Sequence, residues 1–404
     1  MNGFTLPRAL AALIAVGIAY FVLSLYGVPE TRTLALSLAL GGIFGFVLQR
    51  SRFCFFCHSR EYLEEGNPQG VLSILLALGT GTLAYLVVLT QWMPLPLADR
   101  LPPTAHIGPV SYALALGAFV FGAGMSISGS CISAHIYRLG EGSPASPFAL
   151  VGAVIGFGLG FASWNTLYLA TIVDSPVVWL PHTLGYAGTL ALTIALLLAI
   201  AGYVLSRTSF KISARKETRI DAASIGNAIF VERWPAWTGG LLVGVISAVA
   251  YLRVSPLGVT AEIGSLARTW TQATGLLPET LHGLDAFRGC VTVVKTALLS
   301  PNGMFVGGIV LASFAAALVS GQFQPRLPTL DEALRGLIGG ILMGWGAMVA
   351  LGCTVGVLLS GIHAGALSGW VFLVFCFAGL LAGLRLRRLV EAPRAKTERG
   401  KSRG

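Results

Sequence analysis

The chain has 404 residues, 55% of them hydrophobic and only 11% charged, with a net charge of +10 and a mean hydropathy of +0.77. A soluble domain carries about 25% charged residues, so this composition excludes a water-soluble enzyme or binding module. The apolar stretches are long rather than alternating, which sets aside a transmembrane β-barrel. The basic excess suits anionic lipid headgroups and implies no nucleic-acid partner.

The sequence therefore predicts an all-α, polytopic helical membrane protein built from apolar segments near the roughly 20 residues that span hydrocarbon. The first segment is 8–25; it lacks a cleavage site and reads as a retained helix. Segment two, 34–48, ends in Gln49-Arg50-Ser51-Arg52-Phe53-Cys54, and a short, partly polar stretch runs through Cys57 and His58 to Pro68. Segments three and four are 71–90 and 112–127, separated by a Pro-rich loop at 93–109. Segments five, six and seven are 148–172, 184–205 and 237–252. A long interrupted region, 253–301, carries Phe287-Arg288-Gly289-Cys290. Segments eight, nine and ten are 305–319, 333–351 and 367–384, and a basic tail predicted to be disordered follows at 385–404.

Lys/Arg excess marks cytoplasmic ends. Arg207, Lys211, Arg215, Lys216, Arg219 and Arg233 lie between segments six and seven, and the tail holds a second basic cluster. Four segments separate the two clusters, so both fall on one side, and the N-terminus joins them.

One stretch is written twice. Gly122-Ala-Gly124-Met-Ser-Ile-Ser-Gly-Ser-Cys131 and Gly344-Trp-Gly346-Ala-Met-Val-Ala-Leu-Gly-Cys353 align at a shift of 222 residues, as do Gly117 and Gly339. The cysteine match matters because the chain has six cysteines. An odd number of crossings separates the copies, so the expected architecture is an inverted, pseudo-symmetric repeat with a substrate site between the halves. Its parts are a leading helix (1–33), repeat 1 (34–172), a connecting helix with the basic loop (173–236), repeat 2 (237–384) and the tail. The pieces 131–139 and 353–360 are too short to span and read as re-entrant, which backbone at membrane depth tolerates where it lines a cavity or is buried in protein.

Cys54, Cys131 and Cys353 each sit at a segment end beside a break, and Gly124, Gly129, Gly346 and Gly352 let backbone approach closely there. Arg52, Arg138 and Arg288 can supply positive charge, and Cys290 either lines the path or packs. A thiol is a weak donor and a soft partner for sulfur, so the set suits a small sulfur-containing anion. Other residues carry bland readings. Cys376 packs in the core, the Gly117–Gly122 spacing reflects close helix packing, and Trp92, Trp179 and Trp237 anchor at interfaces. His106 and His182 face solvent or headgroups. Cys54-x-x-Cys57 and the Cys131–His135 pair lack the partners of a metal site. No carboxylate is placed at depth, so neither an enzyme with a general base nor an acid relay is expected, and no cofactor.

On the motif 49–54, the two Gly-x-Gly…Cys copies and Ser255-Pro-Leu-Gly-Val-Thr260, the sequence resembles the YeeE/YedE family of bacterial sulfur-compound transporters over about 34–384. The resemblance implies a multi-pass inner-membrane protein that takes up thiosulfate or a closely related anion. It also implies a route lined by the motif cysteines Cys54, Cys131 and Cys353, and a small cytoplasmic sulfur-carrier protein as partner. Cys57, the leading segment and the elaborate 253–301 region depart from the pattern. Two alternatives stay open: a membrane-embedded thiol redox or sulfur-handling enzyme using Cys54 and Cys57, and a transporter of a selenium compound.

Overall fold

In hydrocarbon a spanning segment must satisfy its own backbone N–H and C=O groups, which drives each apolar run into helix. The computed structural model describes residues 6–97, 100–208, 222–275, 280–284 and 299–401, without the side chains of 222–223 and 390–401. Arg288, Cys290, Lys211, Arg215, Lys216 and Arg219 lie outside the described residues. Within them there is no strand, and nine helices are long and apolar enough to cross a membrane, or ten if one bent pair counts as a span.

The leading helix is α1 (Leu6–Tyr26). Six helices follow: α2 (Arg32–Ser51), α3 (Phe55–Glu65), α4 (Gln69–Trp92), α5 (Tyr112–Ser128), α6 (Ile132–Gly140) and α7 (Ser146–Leu167). A π-helical turn, Tyr168–Ile172, extends α7. Then come α8 (Leu180–Ser206) and the short α9 (Ala222–Phe230). The second half runs α10 (Ala236–Arg253), α11 (Val259–Ala273), α12 (Pro301–Val319) and α13 (Leu330–Val349). A π-helical segment, Thr354–Ser360, leads into the single turn α14 (Gly361–His363), and α15 (Leu367–Lys401) closes the chain. Thr354–His363 bends away from α13 by 42°.

Both halves thus repeat the order long, short, long, long, short, long. Two of the four short pieces were not expected: α3 in the stretch after Cys54, and α11 inside the interrupted region. The packing follows the same order. α2 lies on α12 and α4 on α10; α7 lies on α13 and α5 on α15; α5 and α13 cross at the centre. Glycine permits these close approaches. A Cβ on Gly124 would meet the carbonyl of Gly339, and one on Gly122 would overlap the carbonyl of Cys376. The packing reading of the Gly117–Gly122 spacing therefore holds.

Two expectations fail, for one reason: connections fold back over short elements. Leu180 N–H donates to the Gly365 carbonyl (2.9 Å) and Trp179 Nε1 to that of Ala364 (2.8 Å), so Trp179 is buried rather than an interface anchor. His106 is buried in the same layer instead of facing solvent. Glu262, in α11, is a buried carboxylate whose Oε2 accepts from Ser300 Oγ at 2.7 Å.

Candidate functional site

The three motif cysteines share one local design. The residue two positions before each has left-handed backbone: Arg52 (φ 52), Gly129 (φ 83) and Leu351 (φ 60). A left-handed residue ends a helix, and after one more residue the cysteine starts the next element. Cys54 caps α3, its sulfur accepting from the Cys57 N–H at 3.5 Å; Cys131 caps α6; Cys353 precedes the π-helical segment. The sulfurs therefore sit at helix N-termini, where the dipole favours negative charge. The corresponding place before α11 holds Gly258.

This design brings two residues 77 apart in sequence together: Cys54 Sγ and Cys131 Sγ stand 3.7 Å apart. That is well beyond a disulfide bond of about 2.05 Å, and both are free, buried thiols. Ser133 Oγ lies 3.1 Å from Cys131 Sγ. The pair opens onto a narrow cavity whose walls include Phe44, Phe53, Thr354 and Leu358. Cys353, the residue before Thr354, is buried and faces the Thr260 hydroxyl.

Positive charge reaches the pair through α6. Arg138 donates from Nη1 to Ser130 Oγ (2.6 Å) and from Nη2 to Cys57 Sγ (3.3 Å). Arg52 turns elsewhere, Nη2 donating to Gln322 Oε1 at 3.4 Å. Arg50 is structural: its guanidinium caps the carbonyls of Phe230 and Val231 at the end of α9 (2.8 and 3.1 Å). Gly124 and Gly346 lie at the α5–α13 crossing, while Gly129 and Gly352 form the bends before the cysteines. Cys376 is buried with its carbonyl against Gly122. His135 Nδ1 pairs with Ser146 Oγ at 3.3 Å rather than with a thiol, and no group of three metal-ligating side chains occurs among the described residues. Sequence reasoning passed over Ser130, Ser133, Tyr137 and Thr260. Each is a polar residue within or beside an apolar run next to a break, which is the signal that could have found them.

Thiols at helix starts, a buried sulfur pair and a nearby guanidinium thus stand together in one part of the fold. A family model described as sulphur transport matches residues 50–382. The chain belongs to the sulphur-transport family. The matched span contains Cys54, Cys131, Cys353 and Arg138, and it begins after α1. The thiosulfate transporter TsuA of Escherichia coli (strain K12) is 27% identical over 371 residues, 85% of this chain and 91% of that protein. TsuA of Spirochaeta thermophila is 28% identical over 366 residues, 85% of this chain and 95% of that one. The probable transporter YedE of Escherichia coli (strain K12) is 25% identical over 168 residues, 40% of each chain. This member of the sulphur-transport family is thus a multi-pass membrane transporter of a sulfur compound, and relatives named as transporters agree with its not being an enzyme.

Proposed function

We propose that the protein takes up thiosulfate, or a closely related small sulfur anion, into the bacterial cytoplasm across the inner membrane. The anion passes Cys353, then Cys131 and Cys54, making transient S–H contacts with its terminal sulfur. The observation that carries this reading is the 3.7 Å approach of the Cys54 and Cys131 sulfurs at a cavity that reaches the element headed by Cys353. Two thiols from separate short helices can share one polarisable sulfur; for a harder, strongly hydrated oxygen they are weak donors.

The two halves act as an inverted repeat, with both termini and the basic loop in the cytoplasm. Support comes from the main helix pairs, which are unchanged when each element of one half is exchanged for its counterpart in the other. Lys/Arg bias sets the direction. A small cytoplasmic sulfur-carrier protein receives the cargo, as in the family this sequence resembles. The test is uptake of labelled thiosulfate by proteoliposomes holding the purified protein. Accumulation above protein-free vesicles, competed by thiosulfate and poorly by sulfate, is expected; no uptake of thiosulfate, sulfite or sulfate would end the reading.

A further inference from the structure

A sulfur anion such as thiosulfate has two ends, and the thiols account for only one. The sulfonate end carries oxygens and much of the charge, and it needs strong donors. Arg138 lies partly buried at the C-terminal end of α6, and its partners are a hydroxyl and a thiol, both weak acceptors. Among the described residues no carboxylate pairs with it; the nearby Glu141 accepts instead from Gln49 Nε2 at 3.2 Å. A guanidinium withdrawn from water without a counter-charge is costly, and an incoming oxyanion would supply both the charge and the acceptors.

A second, independent observation lies one residue away. Tyr137 is buried, and its hydroxyl stands beside the Arg138 guanidinium, a group that can only donate, so the O–H finds no acceptor among the described residues. That hydroxyl lies within electrostatic reach of Arg138, Cys54 and Cys57. A buried, unsatisfied O–H destabilises a protein unless something completes it. Its position beside the guanidinium and the sulfur pair suits an oxygen of a bound anion.

We infer that Arg138, Tyr137 and Ser130 form an oxyanion station that holds the sulfonate end of the cargo while its terminal sulfur rests between Cys54 and Cys131. This deepens the proposed function and rests on the protein being a carrier of a sulfur anion. The Arg138 fork meets two oxygens, as guanidinium does with planar or tripodal oxyanions. The Tyr137 O–H meets the third. Ser130 keeps the guanidinium aimed, and Cys57, one turn into α3, yields its contact when the anion arrives.

Binding measured on the purified, full-length protein in detergent tests this, with thiosulfate and sulfite as probes. Sulfite has the oxygens but lacks the terminal sulfur. Tyr137→Phe deletes the orphan hydroxyl and little else, so the thermal midpoint should hold or rise. Affinity for both anions should fall about tenfold, the worth of one hydrogen bond to a charged group. Arg138→Gln should weaken both further, and Cys54→Ala should weaken thiosulfate far more than sulfite. Wild-type affinity for both anions in Tyr137→Phe would overturn the station, as would a loss confined to thiosulfate or the absence of sulfite binding to the wild type. A protein that binds both anions with this pattern yet moves neither across a vesicle wall would end the transport reading and leave the station standing.

Discussion

Gly117 and Gly346 close on each other: a Cβ added to either would overlap the other's carbonyl oxygen. The relation is reciprocal because α5 and α13 cross at equivalent points of the two sequence copies, and Gly124 repeats it with Gly339. Gly117→Ala or Gly346→Ala must push backbone apart and should cost about 3 kcal/mol. Gly129 has no atom within reach of an added Cβ but holds φ 83, so Gly129→Ala should cost only the left-handed penalty, about 1 kcal/mol. Denaturation in a fixed detergent ranks them; equal losses would show that the crossing is looser than drawn.

Cys131→Ala and Cys353→Ala should each nearly abolish uptake while leaving a folded, inserted protein. Both sulfurs head short elements beside the proposed route, and the substitution removes little volume. Cys376→Ala, within α15 and against Gly122, should keep most activity and lose about 1 kcal/mol of stability. If the three variants transport alike, the cysteines serve packing.

Thiosulfate should outcompete sulfate by about tenfold to a hundredfold. Both are dianions of similar shape, so the field of Arg138 does not separate them. The difference lies at one atom: an oxygen facing thiols is left imperfectly paired at roughly 1–3 kcal/mol, whereas sulfur gives up less hydration. Cys353→Ser supplies a stronger donor and should move preference toward oxygen-only anions. Competition assays decide it, and a serine variant with no relative gain for sulfate would contradict this account.

Stability should fall in mild acid. Burial pushes the His106 imidazole down to about 4, below the roughly 6.5 of an unfolded chain. Between those values the unfolded chain binds the extra proton, so stability rises with pH. This contribution is fully present above pH 6.5 and is lost as pH falls toward 4, at most about 3 kcal/mol. His106→Gln should flatten that part of the midpoint-against-pH curve; a slope identical to wild type would remove His106 as a source.

A thiol placed in the basic loop by Ser213→Cys should react with an impermeant reagent only after the membrane is opened. Labelling in intact cells would reverse the orientation and the proposed sense of the repeat.

What the sequence made legible follows from how each feature is encoded. Cys131 and Cys353 stand out because their context is duplicated along the chain, and the short pieces behind them could be read from length alone. The 3.7 Å meeting of Cys54 with Cys131 could not, since it joins two breaks separated by two long helices. α11 was hidden because Val259–Ala273 mixes Glu262 and Arg268 with apolar residues, and such a run looks like loop when scanned for hydropathy. Trp179 and His106 were misplaced because burial of a connection depends on what it folds against, here the Thr354–His363 segment and its following turn. Arg138 was visible as a charge near a break; only the fold shows that its partners are a hydroxyl and a thiol.

Of the four short elements that follow α2, α5, α10 and α13, three begin at a cysteine and one follows Gly258. On the proposed route the sulfur ladder is therefore lopsided, with two rungs contributed by the first half and one by the second. Such a ladder is no ratchet. At equal electrochemical activity on both sides, forward and reverse flux balance however the rungs are spaced; lopsidedness changes only the concentration at which each mouth saturates. An inside-negative voltage opposes entry of a dianion by about 4.6 kcal/mol per 100 mV. If the proposed route is uncoupled, net import along it depends on chemistry that consumes the anion once it has arrived.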